Sequence, residues 1–347
     1  MRCARTTDET LAGLFDRLSE VPLPSVDVAR PAALLMRCPA TGETPLHNVP
    51  ALAERAGVSA VHIKDERNRM GLGSFKALGA AYVIACDAQK GGAAGRTYVT
   101  ASAGNHGLSV AAGAQAFGAR AVVYLAETVP AGFADRLRSF GAELRFEGAV
   151  YEDSMAAAAA AADTNGWKLL SDSSWDGYFE TPWRLMEGYL VLMEETVRQM
   201  PEPPTHIFLQ AGVGGLAAAS AAYARHAWGH NPRIIVVEPE AARPIFASAE
   251  AGQMQTVKGP SSSMGRLDCK EASMIALRGL ARDADAFIAI TEKEGATGDE
   301  VMRALGFAST PSGAAGVAGL LAAQGQLGLG HTARVLAVLS EGPEDVG

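Results

Sequence analysis

The chain has 347 residues, 48% hydrophobic and 20% charged, with 30 Lys+Arg against 38 Asp+Glu and a formal net charge of -8. That length suffices for two domains and a well-buried core, the composition excludes disorder over most of the chain, and the acidic excess argues against a nucleic-acid partner. The four cysteines, Cys3, Cys38, Cys86 and Cys269, form no C-x-x-C pair, so neither a zinc ribbon nor a disulfide scaffold is expected, and they read as reduced thiols of a cytoplasmic protein.

In chain order, residues 1–20 interleave Arg2, Arg5, Asp8, Glu9, Asp16 and Arg17 with short apolar positions, without the apolar core of a signal peptide. No run approaches the ~18 consecutive apolar residues of a membrane span. The stretch from Val61 to Gly79 reads VHIKDERNRMGLGSFKALG. Val61 and Ile63 mark a strand, Gly71 and Gly73 a turn, and Lys76 then opens an Ala/Leu-rich helical pattern. Alone, Lys76 is a solvated lysine in a first helical turn. Two later stretches change that reading.

The first is Thr100-Ala101-Ser102-Ala103-Gly104-Asn105-His106-Gly107, between the strand pattern at Thr97–Val99 and a helix from about Asn105 to Phe117. Small residues and an Asn at a helix N-terminus leave backbone N–H groups facing open space, a seat for a carboxylate. There follow a strand at Ala121–Leu125, a helix opened by Pro130 and running to about Phe140, a strand at Glu143–Phe146, an Ala-rich helix around 156–162 and a strand at Trp167–Leu170. Strands separated by helices imply parallel βαβ units. The helix Trp183–Met200 places Leu185, Met186, Tyr189, Leu190, Met193 and Val197 on one face and stops at Pro201. The second stretch is Gln210-Ala211-Gly212-Val213-Gly214-Gly215-Leu216, after the strand His206–Leu209 and before an Ala-rich helix. Its glycines can bring bare amides against a phosphate.

A glycine turn of this kind also suits a dinucleotide, and Glu238, at the end of the strand Arg233–Pro239, has the spacing of a ribose contact. A dinucleotide site, however, leaves SFKALG and SAGNHG unexplained. A reactive lysine, an anion-binding Asn loop and a glycine phosphate loop together fit pyridoxal 5'-phosphate, with ring and phosphate anchored separately. Residues 258–269 show no period and read as a surface loop; by position it lines the site entrance, with Arg266 offering a charge to a second polar group of a substrate. The last strand, Arg334–Leu339, ends on Ser340.

Thr44-Pro45-Leu46, Lys64-Asp65-Glu66, Gly71 to Gly79, Gly104-Asn105-His106-Gly107, Gln210 to Gly215 and Ser340-Glu341-Gly342 together resemble the fold-type II pyridoxal-phosphate enzymes, and among them most of all the diaminopropionate ammonia-lyases. The resemblance implies an α/β, tryptophan synthase β-like architecture of two doubly wound domains with the cofactor between them. The expected division is 1–79 and 183–347 for the larger cofactor-binding domain and 80–182 for a smaller inserted α/β domain.

The resemblance also implies roles. Lys76 binds the cofactor as a Schiff base and later removes the α-proton. Asn105 meets the ring hydroxyl, and Gly212, Val213, Gly214, Gly215 and Leu216 hold the phosphate. Ser340 meets the pyridine nitrogen, with Glu341 beside it as the other candidate. Ser102, Ala103, Gly104 and His106 take the substrate carboxylate; no metal is expected.

The expected activity is β-elimination of ammonia from 2,3-diaminopropionate or a related β-substituted L-amino acid, giving a 2-oxo acid, in a cytoplasmic homodimer. Three alternatives stay open: a serine/threonine-type dehydratase, whose pattern Ser102-Ala103-Gly104-Asn105-His106 matches more closely; a β-replacing synthase of the cysteine synthase kind; and a cofactor-carrying protein without turnover. Relatives that accept both enantiomers carry Thr-Asp where this chain has Ser102-Ala103, so a preference for L substrates is expected. Gly214 and Gly215 are expected where the backbone approaches the phosphate too closely for a Cβ, so that Gly214→Val weakens cofactor affinity more than fold stability.

Overall fold

The computed structural model describes residues 1–129, 131–149 and 151–343. Pro130, expected to open a helix, lies outside them; the helix after it is described over Ala131–Ser139. Two sheets organise the chain. The larger has seven strands in the order Arg2–Cys3, Ala286–Ile290, Arg233–Pro239, His206–Gln210, Arg334–Leu339, Ala60–Asp65 and Leu46–Asn48. Its interior pairs are parallel and its two short edge strands antiparallel. The interior strands are near-continuous apolar runs because both faces are covered. Ile207, Leu209, Ile234, Val236, Leu336 and Val338 enter one core, and Phe208, Ile235, Val237, Val335, Ala337 and Leu339 the other. The smaller sheet is wholly parallel, in the order Glu143–Phe146, Arg120–Leu125, Thr97–Thr100 and Lys168–Leu169.

Two helices join these layers, Lys76–Gln89 and Glu180–Gln199. The second starts three residues before its expected Trp183, because Glu180 favours the positive helix start and Pro182 sits in the first turn, where its missing N–H is harmless. The expected domain limits at 79/80 and 182/183 thus fall inside the first turns of both helices. Their backbones nearly touch: a Cβ on Gly188 would stand 2.5 Å from Leu78 O, and one on Gly79 would stand 2.7 Å from Tyr189 Cε1. Among the described residues no helix is long and apolar enough to cross a membrane.

The charged stretch before the lysine is buried. Lys64, Glu66, Arg69 and Glu195 are each at most 4% exposed. Lys64 Nζ donates to Glu195 Oε2 and Thr44 O, each at 2.7 Å. Arg69 donates to Glu66 at 2.7 Å and to Glu195 Oε1 at 2.8 Å. Two cations balance two anions, and the cluster ties Thr44, the end of the strand Ala60–Asp65 and the helix Glu180–Gln199 to the turn that leads to Lys76. Removing one member leaves a buried charge unpaired, so Glu195→Ala should cost about 3–5 kcal/mol, measured as a shift in the urea midpoint. Burial alone raises the Glu195 carboxyl, but Arg69 and Lys64 outweigh it and hold it below the usual carboxylate range. This contribution is therefore present above the ordinary unfolded carboxylate pKa and is lost as pH falls through the lower folded value.

Candidate active site

The C-terminal ends of the strands Ala60–Asp65, His206–Gln210 and Arg334–Leu339 open on one edge, where ligands of open α/β sheets bind. Ser340 and Glu341 leave the central strand there and pin the loop before the lysine. Phe75 N–H donates to Ser340 O at 3.1 Å, Gly342 N–H donates to Gly73 O at 2.9 Å, and Ser74 bridges Glu341. Lys76, in the first turn of its helix, is thereby aimed into the edge. Its amine contacts the Asp172 carboxylate and lies 5.3 Å from the ring centroid of Phe75 and 5.9 Å from that of Tyr189.

Burial pulls the Lys76 ammonium down, but the Asp172 charge outweighs it and holds it well above the usual lysine value. Burial likewise raises the Asp172 carboxyl, and Lys76 outweighs that to hold it far below the carboxylate range. Asp172 was not among the expected site residues. It follows the two-residue strand Lys168–Leu169, and the only sequence cue was a polar Ser-Asp-Ser-Ser run at the C-terminal end of a strand.

The Asn loop closes over the same edge. Asn105 Nδ2 and Thr310 Oγ1 both donate to the Glu341 carboxylate. Gly104 N–H donates to Ser102 Oγ at 3.3 Å. Ala103, Gly104, Asn105, Phe133 and Arg266 line one small cavity, with the Arg266 guanidinium 5.1 Å from the Phe133 centroid and its Nε 3.8 Å from Glu341 Oε2. Of the loop 258–269, Arg266 thus reaches this cavity. The His106 side chain does not face this cavity: it is buried, with Nε2 2.8 Å from Leu170 O, two residues before Asp172. Burial lowers its pKa, so the ring is a neutral brace between the Asn loop and the Asp172 segment, leaving the His106 backbone N–H for the loop.

The glycine turn precedes the helix Gly215–Trp228, whose first N–H groups have no intrahelical acceptor. Gly214 has φ +98°, and a Cβ there would stand 2.7 Å from Ile245 Cδ1 and 3.0 Å from Ala276 Cβ. Backbone conformation and packing by themselves already demand glycine at this position. Gly214→Val should therefore destabilise the cofactor-free protein by roughly 2–5 kcal/mol, read by thermal unfolding without added cofactor.

Ser340 Oγ accepts from Gln210 Nε2 at 3.1 Å and keeps its own O–H to donate. Glu238, the residue spaced for a ribose, instead accepts from Ile245 N–H at 3.0 Å and Phe246 N–H at 2.6 Å. Burial pushes its carboxyl up to about 8. It caps the helix Pro244–Ala251 and offers nothing to a dinucleotide.

These parts are linked by contact. Tyr189 touches the Gly215 position and the neighbourhood of Lys76; Lys76 touches Asp172; Ser340 and Glu341 tie the lysine loop to Asn105. An amine beside a carboxylate, a helix N-terminus with open N–H donors and a hydroxyl at the strand end fit a phosphorylated pyridine aldehyde. The buried Tyr189 hydroxyl, beside the Lys76 amine and with no acceptor for its own proton among the described residues, fits the same group.

The profile of the pyridoxal-phosphate dependent enzyme family matches residues 38–341. The chain is 36% identical over 312 residues to a diaminopropionate ammonia-lyase of Salmonella typhimurium, covering 80% of this chain and 77% of that one. The human serine dehydratase-like protein is 31% identical over 235 residues, covering 67% of this chain and 68% of that one. The crystal structure of Escherichia coli diaminopropionate ammonia-lyase in complex with an aminoacrylate–PLP azomethine reaction intermediate superposes with a TM-score of 0.85 at 30% identity, over 93% of this chain and 90% of that one.

Proposed function

The chain belongs to the pyridoxal-phosphate dependent enzyme family, in the group of the diaminopropionate ammonia-lyases, and on that premise we propose that it eliminates ammonia from 2,3-diaminopropionate or a related β-substituted L-amino acid to give a 2-oxo acid. It has the fold-type II α/β architecture. The observation that carries the reading is the contact of Lys76 with Asp172 at an edge shared by the Asn105 loop and the Gly212–Leu216 turn.

When bound, pyridoxal phosphate supplies an electron sink that acidifies the α-proton of the substrate. Lys76 would hold the cofactor through its amine and, with that amine free, would take the α-proton of the substrate at Nζ. Asp172 fixes that amine and stabilises the positive charge it gains with the proton. The N–H groups from Gly212 to Leu216 hold the phosphate, and those around Ser102 to His106 receive the substrate carboxylate. Ser340 would donate its O–H to the pyridine nitrogen, and Glu341, engaged by Asn105 and Thr310, would orient Asn105 toward the ring hydroxyl. Loss of the β-amine and hydrolysis of the remaining nitrogen convert diaminopropionate and one water into pyruvate and two ammonia molecules.

Residues 80–182 as a smaller domain inserted in the larger one of 1–79 and 183–347 belong to the same reading; the four-stranded sheet supports this, since all its strands lie in 97–169. A cytoplasmic homodimer completes it, on the resemblance alone. A dehydratase acting on serine or threonine is the second reading, favoured by Ser102-Ala103 before Gly104. The test is product analysis on L-diaminopropionate, L-serine and L-threonine with added cofactor. Two ammonia per pyruvate from diaminopropionate, faster than release from serine, is expected; turnover of serine or threonine alone selects the dehydratase, product only with an added thiol selects a synthase, and a coloured but inert protein sinks all three.

A further inference from the structure

Tyr189 lies on the apolar face of the helix Glu180–Gln199, yet its place is polar in consequence. The residue is 1% exposed, and its hydroxyl is a buried donor without a hydrogen-bond partner. An unpaired buried hydroxyl is unfavourable unless something else meets it. The ring is held on three sides. Phe75 packs edge-on at 4.9 Å between centroids, and Gly79 gives it room, since a Cβ there would stand 2.7 Å from Cε1. On the other edge, Cε2, the carbon next to the one bearing the hydroxyl, lies 3.6 Å from where a Gly215 Cβ would be. Gly215 is the first residue of the helix whose N-terminus forms the glycine turn. The Lys76 amine stands 5.9 Å from the ring centroid. The hydroxyl is thus directed into the gap between the lysine helix start and the glycine helix start. Burial raises its pKa, against the nearby Lys76 ammonium, which its oxygen faces as an acceptor and which lowers it; the hydroxyl stays protonated and its O–H is left to donate.

We propose that the Tyr189 hydroxyl donates a hydrogen bond to the phosphate group of the cofactor, completing from the side the ring of backbone donors at Gly212–Leu216. The inference rests on the cofactor assignment above. It gives a reason for the two glycines that flank the ring, Gly79 and Gly215: together they let a phenol reach a position where the fold supplies no acceptor.

The test compares cofactor binding in the parent and Tyr189→Phe with two probes, pyridoxal phosphate and pyridoxal, which lacks the phosphate, by equilibrium dialysis. Thermal unfolding of the cofactor-free proteins is measured alongside. Tyr189→Phe keeps the ring packing and removes a hydroxyl whose proton has no acceptor, so the cofactor-free variant should unfold close to the temperature of the parent. Its affinity for pyridoxal phosphate should fall about ten- to a hundredfold, the size of a hydrogen bond to a charged acceptor, while its affinity for pyridoxal stays that of the parent. Equal losses for both probes, as from a role at the Lys76 amine, or no loss for either, would overturn the proposal. A parent chain that takes up neither probe would overturn the cofactor assignment, and this inference with it.

Discussion

Lys76→Ala should lower turnover of L-diaminopropionate by roughly 10²–10⁴-fold, the usual contribution of one positioned acid–base group, and abolish covalent attachment of the cofactor. The protein should still retain pyridoxal phosphate noncovalently, because the donors at Gly212–Leu216 do not involve the lysine. Borohydride reduction of the parent followed by peptide mapping should place the label on Lys76, and the variant should give none. A side effect is also expected. Without the ammonium, the buried Asp172 carboxylate loses the main charge that holds its pKa down, so its pKa should rise in the variant. Label on any other lysine, or a variant that keeps full turnover, would remove Lys76 from the chemistry.

What could be read in the sequence was whatever is local to the backbone. The glycine turn and the lysine segment are each a strand, a turn and a helix start within about twenty residues, so composition and order alone place them. The same holds for the strands Glu143–Phe146, Arg233–Pro239 and Arg334–Leu339, observed at their expected limits. The edge strands Arg2–Cys3 and Leu46–Asn48 have two and three residues, too few for any alternation to show. The helix Glu292–Ala304 did carry a usable signal, the Thr291 and Glu294 capping box.

The site residues that escaped are those defined by distant partners. Asp172 reaches Lys76 from 96 residues away, and Lys64 meets Glu195 across 131, so nothing local marks Lys64, Glu66 and Arg69 as a buried charge cluster. Tyr189 counted as one more member of an apolar face, because periodicity sees a ring and not the hydroxyl at its tip. Gly214 was recognised as a necessary glycine, but a sequence does not show which wall its Cβ would strike.

The chain should process L-2,3-diaminopropionate at least ~10²-fold better than the D enantiomer in kcat/KM, the margin one positioned base commonly provides. The substrate carboxylate is anchored, and the Cα–H bond must stand perpendicular to the ring, so the two enantiomers present their protons to opposite faces and require different bases. Lys76 serves one face. Ala103, in the cavity beside Asn105, offers no carboxylate for the other. Among the described residues the carboxylate in contact with Lys76 is that of Asp172, and paired with that amine it supports the lysine rather than a proton transfer of its own. Ala103→Asp should therefore add activity toward D-diaminopropionate while leaving L activity within a few-fold of the parent. Asp172→Asn should lower L activity, through the lost support of the Lys76 charge, without a selective effect on D. The measurement is kcat/KM for both enantiomers in the parent and the two variants. Comparable D and L activity in the parent, with the D activity alone lost in Asp172→Asn, would show that Asp172 is freed from Lys76 once the cofactor binds and serves as the second base.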